Sequence, residues 1–287
     1  MTSYNPKDWI SFIFNISKAD TFRKLIPMMI LIGLYSAVIA YLEIEYWDLP
    51  DDSPVKNISI MHGMLGFVIS LLLAYRTNTA YDRWWEGRKI WGSLINNSRN
   101  LSIKLSVILQ DEKDRTYFRK MIPSYASILH KHLNDTDTSK QLFDDVDLEI
   151  DHHKHKPNQV VQMLFQKIND LYVSKKITGD QLIILNSEIQ SFTEICGACE
   201  RIKNTPIPYS YSAFIKKFIF IYVLTLPFGY VFNLGDFVIP VVVFIFYVLA
   251  SLELIAEEIE DPFGKDVNDL PTKKIAESIK KHVEEII

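Results

Sequence analysis

Residues 57–92 read NISIMHGMLGFVISLLLAYRTNTAYDRWWEGRKIWG, and this stretch decides the fold. Its first part, Asn57 to Tyr75, carries no formal charge between Lys56 and Arg76. At about 1.5 Å per residue it covers roughly 28 Å, close to the thickness of a hydrocarbon core. No proline falls between Pro54 and Pro123, so the pattern predicts one helix that spans a bilayer and continues into water, with Gly87 and Gly92 as its weak points.

Three further charge-free runs, Leu25–Leu42, Phe218–Gly235 and Phe237–Leu252, complete a set of four expected membrane helices. Their approximate bounds are 25–44, 57–75, 216–234 and 236–255. The last run is short unless Glu253 faces protein or water. Between the second and third spans lies a polar insert, about 76–213, and residues 256–287 form a polar C-terminal segment. Apolar residues recur at helical spacing in Leu101–Leu109, Phe118–Leu133, Val160–Tyr172 and Asp180–Arg201, so the insert is expected to be all-helical. There is no strand alternation of useful length, repeat or low-complexity tract. The fold class expected is an all-α membrane protein, one subunit over 1–287 with a helical cytosolic domain.

Charge sets the expected orientation. Lys18, Arg23 and Lys24 precede the first span; Arg76, Arg83, Arg88 and Lys89 follow the second; Lys216 and Lys217 precede the third. These flanks belong on the cytoplasmic side, which puts both termini and the insert there. The first outer loop carries Glu43, Glu45, Asp48, Asp51 and Asp52 against Lys56. No secretory signal pattern is apparent at the N-terminus. Two cysteines, both in the insert, fit a reducing compartment. The net charge of −4, with no basic stripe, argues against a nucleic-acid partner.

The four spans hold no Asp, Glu, Lys or Arg at membrane depth, so one chain cannot readily enclose a wet pathway and subunits must share it. The same absence argues against proton-coupled transport, with His62 a small exception. On the second span Gly63, Phe67, Leu71 and Tyr75 recur every four residues along one face. Taken alone, the stripe fits helix packing or a ring of apolar side chains. The adjacent face, His62, Gly66, Ser70 and Ala74, is small and polar and suits a close helix contact. Ile207 sits between Pro206 and Pro208, whose rings restrict the backbone on both sides; this suits an aperture or an ordinary helix-starting turn.

Arg76–Leu101 (RTNTAYDRWWEGRKIWGSLINNSRNL), Thr205–Phe214 (TPIPYSYSAF) and Glu260–Gly264 (EDPFG) together resemble the bestrophin family, in the family's order and over nearly the whole chain. The resemblance implies a homopentameric ion channel of the inner membrane, with five second helices around a central pore; the competing expectation is a membrane scaffold that does not conduct. Membrane lipid and small monovalent ions, chloride or sodium, would be its partners. Phe67, Leu71 and Tyr75 align with the three rings of the family's neck, and Ile207 with its cytosolic constriction. Leu71 and Tyr75 stand where animal members have Phe. Those members bind Ca²⁺ through an acidic run after Pro-Phe-Gly. Here the run is Lys265, Asp266, Val267, Asn268, Asp269, with too few oxygen donors for tight binding.

No cofactor, metal or catalytic residue is expected. No nucleophile elbow, phosphate loop or paired-carboxylate site occurs. Cys196 and Cys199 form an isolated Cys-x-x-Cys on an expected helix, and His152, His153 and His155 a charged tract; neither alone marks a metal site. Trp84, Trp85 and Trp91 are expected to pack a helical wall, with Arg83 and Asp82 pairing nearby. Glu257, Glu258, Glu260 and Asp261 are expected as a solvated face or ion-pair partners.

Overall fold

The computed structural model describes residues 21–47, 57–134, 151 and 153–287. Lys18, Asp48, Asp51, Asp52, Lys56 and His152 lie outside the described residues. The described residues form α-helices and connections with no strand. The helices are α1 (Thr21–Tyr41), α2 (Ile58–Ile108), α3 (Glu112–Leu133), α4 (Lys156–Val173), α5 (Gly179–Asn204), α6 (Tyr209–Leu234), α7 (Val238–Glu260) and α8 (Thr272–Ile286). A π-helical turn, Leu42–Tyr46, extends α1. The long helix expected from residues 57–92 is present as α2, 51 residues without a break.

The chain divides into two compact units, Arg83–Pro206 with Asp261–Ile287, and the described part of Thr2–Asp82 with Ile207–Glu260. In the second unit, three continuous helical stretches are long and apolar enough to cross a membrane: Thr21–Tyr46, the stretch containing α2, and Tyr209–Glu260. The last is two helices, because Gly235 ends α6 at φ +51°. That conformation is open to glycine at little cost. A single 3₁₀ turn, Gly235–Phe237, then starts α7. Lys216, near the start of α6, pairs with Glu257, near the end of α7, at 2.9 Å. The two helices therefore run antiparallel.

The core of this unit is aliphatic. Ile32 of α1, Ile69 and Leu73 of α2, Ile219 and Val223 of α6, and Val242 and Phe246 of α7 are all buried together. The α1 backbone passes close to α7 at Gly33, where an added Cβ would lie 3.3 Å from Val243 Cγ2. Lys24 and Glu258 join the ends of the same two helices. The tightest approach is between α2 and α6. A Cβ on Gly229 would sit 2.9 Å from the Ser59 nitrogen and 3.3 Å from the Ile58 carbonyl carbon. Backbone, not a yielding side chain, occupies that space, as in other close helix pairs built on small residues.

The first unit, Arg83–Pro206 with Asp261–Ile287 and hereafter the helical unit, is organised around α3. Phe118, Ile122, Tyr125 and Leu129 of α3 are buried against Trp91 and Leu101 of α2, Leu164 of α4, Phe192 of α5 and Ile279 of α8. Tyr125 satisfies its buried hydroxyl by donating to the Phe192 carbonyl, and the two rings meet edge to face at 4.8 Å. Helix starts in this unit are capped as the sequence allows. Asp111 accepts from the Lys113 N–H ahead of α3, and Thr178 with Gln181 forms a reciprocal capping box ahead of α5. Gly87, read as a weak point of the long helix, is a packing position. A Cβ there would lie 3.2 Å from Pro262, Phe263 and Leu270, so the glycine admits the Pro-Phe-Gly turn.

Gly229→Ala must therefore separate α2 from α6. It is expected to lower stability by about 1–3 kcal/mol, read as a lower melting midpoint of the detergent-solubilised protein. Gly63→Ala, whose Cβ meets nothing within 4 Å in the same chain, is expected not to lower the midpoint, since alanine is favoured over glycine in a helix interior.

Candidate ion pathway

Residues 58–82 of α2 have two faces of opposite character. One, carrying His62, Ile69, Leu73, Arg76 and Ala80, is buried in the unit's interior. The other carries the predicted ring residues and faces away from the chain: Phe67 is 72% exposed, Leu71 47% and Tyr75 60%. Within one subunit the Gly63-Phe67-Leu71-Tyr75 stripe is not packed. The adjacent small face divides. His62 is fully buried, with Nδ1 at 2.9 Å from the Ile58 carbonyl and Nε2 at 2.9 Å from Thr225 Oγ1. Gly66 lies beneath the Tyr222 hydroxyl. Ser70 and Ala74, by contrast, are exposed.

Directly after Tyr75 comes a buried charge that sequence reading assigned to the membrane flank. Arg76 is 1% exposed. Its Nη2 donates to Glu260 Oε2 at 2.6 Å, whereas its contacts to Glu253 are 3.5 Å. The short bond to Glu260 carries the pairing, because a charge-assisted hydrogen bond weakens steeply with length. Glu260 then uses its other oxygen to accept the Ile207 N–H at 2.7 Å. One carboxylate thus links the residue after Tyr75 to the backbone of Ile207. Glu253 is buried as well, facing protein as the extension of α7 to Glu260 requires.

Ile207 itself is partly exposed, between Pro206 and Pro208, and Pro208 caps α6 with φ −53° and ψ 129°. The proline sandwich thus restricts the local torsions and the Glu260 hydrogen bond fixes the one available backbone donor. The ion-pair expectation for the acidic run at 257–260 holds for Glu257 with Lys216, Glu258 with Lys24 and Glu260 with Arg76.

In the helical unit, Trp91 is fully buried and Trp84 packs against the core while donating Nε1–H to the Asn268 carbonyl at 3.0 Å. Trp85 departs from the packing expectation at 46% exposed. Arg83 reaches the carbonyls of Ile202 and Thr205, both at 2.6 Å, and so satisfies orphan acceptors at the C-terminal end of α5. Cys196 and Cys199 are buried on α5. Burial, then the Glu200 carboxylate, push the Cys196 thiol up to about 12, so it stays protonated near neutral pH. His153 is exposed, and His155 caps α4. In the 265–269 segment Asp269 Oδ2 accepts the Asp266 N–H, and just before it Asp261 Oδ1 accepts the Phe263 N–H.

Over residues 1–285 the chain matches the family described as Bacterial/Fungal Bestrophin protein. The chain belongs to that bestrophin family. A voltage-dependent anion channel-forming protein of Nostoc is 30% identical over 289 residues, covering 98% of this chain and 92% of that one. A protein of the same description from Mesorhizobium japonicum is 30% identical over 261 residues, 90% of this chain and 83% of that one. Among solved structures, a single-substitution variant of a Klebsiella pneumoniae bestrophin homolog superposes with a TM-score of 0.80. It is 23% identical and covers 92% of this chain and 98% of that chain. The likeness shows the fold, the all-helical bestrophin fold.

Removing one member of the buried charge cluster should cost more than removing all of it. Arg76→Met leaves Glu253 and Glu260 without their cation and is expected to destabilise by about 3–5 kcal/mol. Arg76→Met with Glu253→Leu and Glu260→Gln is expected to recover most of that loss, since the glutamine still accepts the Ile207 N–H. Thermal melting of the two purified variants distinguishes these outcomes.

Proposed function

We propose that this chain is the subunit of a homopentameric ion channel of the inner membrane. Five copies of α2 surround a central pore, and small monovalent ions pass rings of Phe67, Leu71 and Tyr75 before Ile207. Four segments per subunit cross the membrane, about 25–44, 57–75, 216–234 and 236–255. Both termini and the helical insert are cytoplasmic. The observation that carries the reading is the outward apolar stripe of α2. It is continuous with a helix whose opposite face is buried and fixed by Arg76. Apolar rings of this kind gate by wetting and dewetting rather than by charge.

Family membership supports an ion channel, and the relatives described as voltage-dependent anion channel-forming proteins favour anions; chloride is the anion this reading takes first. Phe67, Leu71, Tyr75 and Ile207 carry no charge and act on width and hydration, so they do not themselves set the sign of the permeant ion. Charge selection falls to other groups along the path. Calcium is not required in this reading, because the 265–269 segment lacks the donors for a tight site.

Three measurements test it. Reversal potentials of the purified protein in planar bilayers, under a KCl gradient and then NaCl, are expected to move toward the chloride potential. Movement toward the cation potential would instead make this a cation channel of the same architecture. Leu71→Ala is expected to raise current severalfold by widening and wetting the neck; unchanged conductance and open probability in an intact pentamer would remove Leu71 from the gate. A calcium chelator is expected to leave the current unaltered, and a steep calcium dependence would overturn the reading of Lys265 to Asp269.

A further inference from the structure

Two motifs that the ion pathway leaves unused, the histidine tract at 152–155 and the Cys-x-x-Cys at 196–199, each supply or flank one member of a cluster in the helical unit. His132 lies one residue before the end of α3, His155 is the N-cap of α4, and Glu200 follows Cys199 on α5. The Nε2 atoms of His132 and His155 both lie 2.6 Å from the same oxygen, Glu200 Oε1. The two imidazole rings meet at 4.7 Å and 67°. The three donor atoms lie within 4.8 Å of one another, the one such His/Cys/Asp/Glu group among the described residues.

We propose that His132, His155 and Glu200 bind one divalent transition-metal cation of the zinc class, fastening α3, α4 and α5 together. Two imidazole nitrogens and one carboxylate oxygen are a common donor set for such an ion, leaving a further position for water. The three side chains are 29–33% exposed, so an ion and its water can reach them. Zinc holds these donors at about 2.0–2.2 Å, which puts tetrahedral neighbours roughly 3.3–3.5 Å apart. The two 2.6 Å contacts therefore open by less than about 1 Å when the ion replaces the bridging protons.

The tautomers allow this exchange at a small cost. His155 Nδ1 accepts the Asn158 N–H at 3.3 Å, so without metal its Nε2–H points to Glu200. Binding moves the ring proton to Nδ1 and forfeits that long capping bond. The buried thiols of Cys196 and Cys199 lie outside the donor set. This assignment does not depend on conduction, because all three donors belong to the helical unit.

The test uses the full chain purified in detergent and stripped with a chelator, titrated with Zn²⁺ by calorimetry and with Co²⁺ by visible absorption. Expected are one ion per chain, intense low-symmetry Co²⁺ bands, and a higher melting midpoint with Zn²⁺. His155→Asn preserves an N-cap but no imidazole, and His132→Gln preserves a donor to Glu200; each is expected to abolish all three signals. His282→Ala, on α8, is expected to leave them intact. A metal-free melting midpoint near wild type shows that a variant's loss is not misfolding. If either histidine variant unfolds, Glu200→Gln supplies the same comparison. No uptake by the wild type, or uptake unchanged in the folded variants, would overturn the proposal.

Discussion

Arg76 is a full charge withdrawn from water, and much of the second unit follows from keeping it paired. An unpaired buried guanidinium would cost several kcal/mol, so α7 must run far enough to bring Glu253 and Glu260 alongside it. That requirement sets the length of α7 beyond its last apolar residues. Glu260 in turn holds the Ile207 N–H. Arg76 on α2 is thereby connected to the Ile207 backbone through two hydrogen bonds that share the Glu260 carboxylate. The two proposed constrictions are mechanically joined by the chemistry of one carboxylate.

The buried pairing on one face gives meaning to the bare apolar surface on the other. Apolar surface is common on any protein, but Phe67, Leu71 and Tyr75 form an aligned row on a helix whose opposite side is already fixed. Such a row asks for a partner outside the chain, whether neighbouring subunits around an axis or hydrocarbon. Symmetry is the economical answer, since a closed ring converts one exposed row into repeated levels of identical side chains.

Sequence reading reached the helical class, the long second helix and the helical segments of the insert because each rests on composition and period, which are local. It missed the Arg76–Glu260–Ile207 connection because the partners are far apart in the chain and each has an adequate local explanation, as a flanking charge, an acidic face or a proline-bounded turn. Gly87 shows the same limit: a helix-weakening residue by propensity, it is explained by Pro262 and Phe263 arriving from the C-terminal segment. His132 carried no motif at all, and its proximity to His155 and Glu200 appears only after three helices have packed. The signals available in advance were the unused histidines and the residue adjoining Cys199.

The hairpin formed by α6 and α7 bears on how the chain is made. Between Lys217 and Glu253 the only formal charge is Asp236, at the turn. The ionic groups that close the open end, Lys216 and Glu257, pair at the end of the hairpin away from that turn. In the proposed topology, inserting the pair together means dragging one small polar tip through hydrocarbon, with Lys216, Lys217, Glu253 and Glu257 left at the starting surface. The polarity of the Asn233–Asp236 turn then sets the cost of that crossing, while the apolarity of the long flanking helices supplies its driving force.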